Sequence, residues 1–178
     1  MEKVHPRNRL IKIIDSTDEM FEFHKAYMLH AYRVAHASDD PSTQVGAVIV
    51  SDQGVVAQAY NKPISIKDTT GLSKYDYTEH AERRVLYECI SKRLSPKGCS
   101  MYANWASCCD CARAVIECGI DHVYTHLQMH DKYSGAYRES TEKGLLMLTN
   151  SGVNVTMISG DISNGRITIR TSGQNWQP

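Results

Sequence analysis

Two short segments, His80-Ala81-Glu82 and Cys108-Cys109-Asp110-Cys111, set the strongest condition on how this chain can fold. Each stands directly after a loop or strand and opens a stretch of helical pattern. Residues three apart share a helix face, so Cys108 and Cys111 can close on one ion while Cys109 points elsewhere. His80 and Glu82 would diverge by about 200° on a regular helix. Both reach one site only if His80 stands at the entrance to the first turn. Two thiolates and one imidazole favour zinc over magnesium or calcium, and three protein ligands leave a fourth tetrahedral position for water, the design of a catalytic site. Helix N-termini carry partial positive charge, which eases ionisation of both sulfurs. A Cys-x-x-Cys alone also serves redox pairs and halves of structural zinc sites. Joined to His80 and Glu82, it points to catalysis.

A length of 178 residues suits one well-buried core. The expected organisation is an N-terminal arm over residues 1–16, a single domain over 17–170 and a tail over 171–178. Lys and Arg together number 20, as do Asp and Glu, so no chain-wide basic field exists to hold nucleic acid. Any anionic ligand must be caught by a local cluster. Lys12 interrupts the apolar run from Leu10 to Ile14, and no segment approaches the ~18 apolar residues of a spanning helix. The expectation is a cytoplasmic protein without a membrane partner. In that compartment six cysteines point to metal or catalysis instead of disulfides. Cys89 and Cys118 fall on apolar helix faces as core residues, and Cys109 is a packed thiol beside the ligands.

Apolar side chains at three- and four-residue intervals predict a helix from Asp18 to about Ala37. Val45 to Val50 and Val55 to Tyr60, separated by Asp52-Gln53-Gly54, predict a β-hairpin. Residues 61–77 are polar, carry Pro63 and Gly71, and are expected as a long functional loop. Helices are expected over His80 to Lys92, Cys108 to Cys118 and Ser140 to Asn150. Strands are expected over Cys99 to Ala103, Ile120 to Thr125, Val153 to Ile158 and, after a turn at Asn164-Gly165, Arg166 to Arg170. This alternation implies an α/β layered domain with a partly parallel sheet.

His-x-Glu joined to Cys-x-x-Cys is the zinc deaminase signature, in which the glutamate moves protons and is not a ligand. Around it lie Asp40-Pro41-Ser42-Thr43-Gln44-Val45-Gly46-Ala47-Val48-Ile49-Val50, Tyr60-Asn61, Lys74-Tyr75-Asp76-Tyr77, Lys97-Gly98-Cys99-Ser100-Met101-Tyr102 and the run from Cys108 to Ile120. With these pieces the chain resembles the deoxycytidylate (dCMP) deaminases of the zinc-dependent cytidine deaminase superfamily, over roughly residues 24–158. The resemblance implies a three-layer α/β/α fold with a central mixed five-stranded sheet. It implies Zn²⁺ held by His80, Cys108 and Cys111, proton transfer by Glu82, and substrate contact by Asn61, the Ala81 backbone and Trp105. The implied reaction is hydrolysis of dCMP to dUMP with release of ammonia. Implied partners are a pyrimidine nucleotide, an allosteric deoxynucleoside triphosphate and further copies of the chain, with Tyr133 and Tyr137 as interface candidates; nucleic acid is not among them.

The chain departs from the family pattern at three places. Ser107 replaces the proline before the first cysteine, Ala59-Tyr60-Asn61-Lys62 replaces a Gly-Tyr-Asn-Gly segment, and Arg84 stands where an asparagine follows the glutamate. Lys62, Lys67, Lys74, Arg83, Arg84, Lys132 and Arg138 are the candidates for phosphate capture. Deamination of another base or nucleotide (5-substituted dCMP, dCTP, guanine or a tRNA adenosine) and a catalytically idle zinc domain that binds nucleotide as a regulator remain as alternatives. The retained Glu82 argues against the idle domain.

Overall fold

The computed structural model describes residues 3–5 and 8–178; the other four residues of the expected arm lie outside the described residues. In chain order the elements are β1 (Lys3–His5), β2 (Asn8–Ile14), α1 (Phe21–Ala35), β3 (Gly46–Ser51), β4 (Gly54–Tyr60), β5 (Lys62–Pro63), α2 (Lys74–Tyr77), β6 (Thr78–Glu79) and α3 (Ala81–Ser91). There follow β7 (Ser100–Ala103), α4 (Cys109–Glu117), β8 (His122–His126), α5 (Leu127–His130), α6 (Gly135–Asn150), β9 (Asn154–Ile158), β10 (Ile169–Thr171) and β11 (Gln174–Trp176).

The β-branched run of β3 forms a strand because its side chains alternate between two apolar layers. Ala47 and Ile49 join one core with Met101, Ala103, Val123, Val155 and Met157, beneath residues of α3, α4 and α6. Val48 and Val50 join the other with Tyr102, Tyr124 and Ile158, against α1. Helices therefore cover both faces, in three layers. Gly46 makes the α1 contact possible: a Cβ there would lie 2.2 Å from the Ala31 carbonyl oxygen and 2.5 Å from the Ala35 nitrogen.

Strand order is β1-β2-β9-β8-β7-β3-β4. The pairs β2/β9, β9/β8 and β8/β7 are parallel, whereas β7/β3, β3/β4 and β1/β2 are antiparallel. The sheet is thus mixed, but it has seven strands and not the five expected. Five of the six anticipated strands lie side by side, and the chain's first residues extend the sheet past β9, pairing Ile11 with Val155 and Ile13 with Met157. An open β9 edge would expose unpaired backbone groups, and β2 supplies their partners. Part of the presumed arm is therefore sheet.

Three further segments differ from expectation. The stretch read as a long loop is tied at its base, where Lys62 pairs with Glu79 and Pro63 with Thr78. Helix α6 begins at Gly135, five residues before the expected Ser140, and so carries Tyr137 and Arg138. The last expected strand is shifted to β10, which pairs with β11 in a hairpin separate from the main sheet. Residues assigned to a tail are anchored by that hairpin: Trp176 packs edge-on to Tyr32 and stacks on His126. Among the described residues no helix is long and apolar enough to cross a membrane.

Candidate active site

His80 is the N-cap of α3 and Cys108 the N-cap of α4, both with extended backbone, so the two helix starts face each other as the motif demands. His80 Nδ1 lies 3.6 Å from Cys108 Sγ and 3.5 Å from Cys111 Sγ. Bonds of about 2.3 Å to sulfur and 2.0–2.1 Å to nitrogen at a tetrahedral angle require a sulfur-to-nitrogen separation of about 3.6 Å. The three side chains fit zinc on that criterion. Among the described residues they form the one group of three or more metal-ligating side chains, with ligand atoms within 4.8 Å of one another. The neighbouring Cys111 thiol, outweighing burial, holds the Cys108 thiol down at about pKa 4, with His80 adding to the effect. The same pairing and burial push the Cys111 thiol well up, so the two sulfurs act as one coupled pair, whereas metal binding takes both as thiolates.

Glu82 is only 3% exposed and shares a cavity wall with His80. Burial pushes its carboxyl pKa up, although His80 opposes this. The cavity encloses ≈ 480 Å³, and Asn61 and Trp105 line it as well. Asn61 is pinned: Oδ1 accepts the Val45 N–H at 2.8 Å and Nδ2 donates to the Thr43 carbonyl at 2.9 Å. Trp105 stacks on Tyr133, with ring centroids 4.1 Å apart, and meets Tyr137 edge-on at 5.3 Å. Its indole N–H is buried with no hydrogen-bond partner among the described residues. Such a donor is satisfied when a ligand brings an acceptor. Ser42, Thr43, Lys74, Lys132, Ser134 and Ser172 add polar groups to the lining.

The profile of the cytidine and deoxycytidylate deaminase zinc-binding region matches residues 21–127, well over half of the sequence. This chain belongs to the cytidine and deoxycytidylate deaminase family. The luxG 3′-region deaminase of Aliivibrio fischeri is 32% identical to it over 143 residues, 78% of this chain and 95% of that protein. Deoxycytidylate deaminase of Mus musculus is 33% identical over 148 residues, 76% of this chain and 79% of that protein. The crystal structure of dCMP deaminase from the cyanophage S-TIM5 superposes with a TM-score of 0.60 at 21% identity, over 78% of this chain and 98% of that chain. That likeness shows the cytidine deaminase fold.

Within this deaminase fold the remaining sequence candidates separate clearly. Ala81 opens α3 with its methyl group in the core, which leaves only its backbone near the site. Lys74, paired with Asp40, and Lys132, over the Trp176 ring, line the cavity, and three arginines are engaged away from it. Arg83 pairs with Glu79 and points Nη1 at Cys111 Sγ, 3.7 Å away. Arg84 donates to the Tyr60 carbonyl at 2.7 Å and covers the Tyr60 ring. Arg138 pairs with Glu142 and donates to the His130 carbonyl. Cys109 turns from the metal group and donates its thiol to the Ser140 carbonyl at 3.4 Å. Tyr133 and Tyr137, read as interface candidates, line the cavity with Trp105. They lie in or just after a polar stretch with no period, so their sequence offered no signal for that place.

Helix α6 also supports the ligand loop through Gly144. A Cβ at this position would lie 2.2 Å from the Ser107 carbonyl oxygen and 2.9 Å from the Cys108 carbonyl carbon. Helix propensity alone favours alanine over glycine by about 1 kcal/mol. The backbone clash opposes that gain, and overpacking costs about 1–3 kcal/mol. Gly144→Ala is therefore expected to lower the melting temperature and weaken zinc retention, read by calorimetry and by competition with a chromophoric chelator. A more stable variant with unchanged zinc affinity would contradict this packing.

Proposed function

We propose that this chain hydrolyses the exocyclic amine of a cytosine deoxynucleotide, converting dCMP to dUMP with release of ammonia. The observation that carries the reading is the buried Glu82 carboxylate in the same cavity wall as His80, the nitrogen ligand of the metal group. His80, Cys108 and Cys111 hold zinc, and Glu82 moves the protons. When bound there, zinc supplies Lewis acidity that brings the pKa of water toward neutrality. Glu82 takes one proton from the attacking water and passes it to N3 of the pyrimidine, then takes the second from the new C4 hydroxyl and gives it to the departing amine. Water thus provides the C4 oxygen, and the C4–N bond breaks to give ammonia. Burial makes Glu82 a stronger base, a counterweight to the acidifying field of a nearby cation.

Trp105, Tyr133 and Tyr137 offer flat apolar walls to the base, and Asn61 presents a side chain whose orientation is fixed by two backbone bonds. The Tyr137 ring stands 6.4 Å from the His80 ring, centroid to centroid. Lys74 and Lys132 are the cations of the cavity lining and serve the phosphate. Ammonia release from dCMP, deoxycytidine, dCTP, 5-substituted dCMP, guanine and a tRNA adenosine stem-loop tests the substrate. The expected result is the highest kcat/KM for dCMP. Faster turnover of another base would replace this assignment, and zinc-loaded protein that releases no ammonia from any of them would end it.

A further inference from the structure

We infer that the β10–β11 hairpin is a specificity element of the active site, in which Trp176 and Arg170 position the two cavity lysines that read a nucleotide's phosphate. The inference rests on the nucleotide reading above and adds a segment that lies outside the matched family region. It starts from two contacts. Lys132 Nζ sits over the Trp176 ring, 4.7 Å from its centroid. Lys74 Nζ donates to Asp40 Oδ1 at 2.8 Å, and Asp40 belongs to a loop that the hairpin braces.

That bracing is extensive. Arg170 donates from Nε to the Asp40 carbonyl at 3.0 Å and from Nη2 to the Ser38 carbonyl at 3.3 Å. Its backbone N–H donates to Gln44 Oε1 at 2.9 Å, and its carbonyl accepts the Gln44 N–H at 3.0 Å. At the hairpin turn, Gly173 N–H donates to the Ser42 carbonyl at 2.8 Å and Ser172 N–H to Thr43 Oγ1 at 3.2 Å. The turn has φ of 50° at Ser172 and 76° at Gly173, the left-handed pair of a tight hairpin, and it presents Ser172 to the cavity. Asp40 in turn accepts the Ser42 and Thr43 N–H groups at 2.8 and 3.0 Å. The Lys74 ammonium is thereby fixed through Asp40 to a loop that cannot shift without the hairpin.

Lys132 has two destinations. It lines the active-site cavity and also a neighbouring cleft that holds Asp131, Asp161 and His126. A long, flexible lysine would divide its time between the anions of that cleft and a ligand in the cavity. Trp176 lines that neighbouring cleft, is itself packed against Tyr32 and His126, and holds the Lys132 ammonium over its ring. Holding a cation in place before the ligand arrives reduces the ordering cost of binding. Trp176 and Arg170 are positioning residues, acting through Lys132 and through Asp40 and Lys74.

Calorimetric titration of the zinc-loaded full chain with dUMP and with deoxyuridine tests this without turnover, since neither ligand carries the amine. Wild-type protein is expected to bind dUMP more tightly. Trp176→Ala should weaken dUMP binding about 10-fold while deoxyuridine binding changes by less than about 2-fold. Trp176→Phe keeps an aromatic face and should restore most of the loss, and Arg170→Ala should move the ratio in the same direction as Trp176→Ala. Melting curves identify any variant that is simply misfolded, for which the phenylalanine variant carries the test. Equal weakening of both ligands, an unchanged ratio in both alanine variants, or a wild-type protein without preference for dUMP would overturn the inference. Turnover of dCMP reads the proposed reaction separately: selective dUMP binding without ammonia release would spare this inference and remove that one.

Discussion

Glu82→Gln is expected to keep one zinc ion per chain and to lose dCMP turnover by about 10³-fold. Glutamine preserves the shape and hydrogen-bonding reach of the side chain, so the cavity that Glu82 shares with Asn61 and Trp105 should survive. It cannot take a proton from water, and every proton transfer therefore loses its carrier. Stability should respond in the opposite direction. Glu82 is 3% exposed and its charged form is penalised by burial, so removing the charge should leave the melting temperature equal or higher. Zinc content by atomic spectroscopy, melting temperature and initial rate are measured on the same preparation. Near-native turnover in that variant would show that another group moves the protons, and loss of zinc would mean that the carboxylate is a ligand.

Cys108→Ser should abolish zinc binding and activity together, whereas Cys109→Ser should leave both nearly intact. The contrast follows from where the two adjacent sulfurs point. Cys108 Sγ is 3.6 Å from His80 Nδ1, while the Cys109 thiol is committed to the Ser140 carbonyl on α6. Changes in residues that merely support metal ligands cost about 10- to 100-fold in affinity, so deletion of a ligand should exceed that range. Because only the folded chain assembles the site, the lost zinc should also appear as a lower melting temperature in Cys108→Ser. Equal zinc loss in the two variants would mean that the ligand set is misassigned.

Much of the site was legible because its chemistry is local. Cys108 and Cys111 lie one helical turn apart, and His80 must stand at a helix entrance for Glu82 to share its site. His80 and Cys108 are indeed the N-caps of α3 and α4. The strands β3, β4, β7, β8 and β9 were equally readable from β-branched runs and turn residues. Strand β2 was not, because Leu10 to Ile14 has no period that survives Lys12, and its partner β9 lies at the far end of the domain. Pairing between distant segments leaves no local mark. The cavity's polar lining was hidden for the same reason: Lys74, Lys132 and Ser172 come from three separate segments that only the folded chain brings together. Charge alone nominated seven cations for phosphate capture, and it could not say that Arg84 was already spent on the Tyr60 carbonyl.

The most direct measurement is zinc K-edge X-ray absorption on the purified, zinc-loaded protein. The expected spectrum shows two sulfur neighbours at about 2.3 Å, one imidazole nitrogen at about 2.0–2.1 Å and one further light atom completing four-coordination. A shell of four sulfurs, or one of nitrogen and oxygen alone, would contradict the assignment of His80, Cys108 and Cys111 as the ligands of an open catalytic zinc.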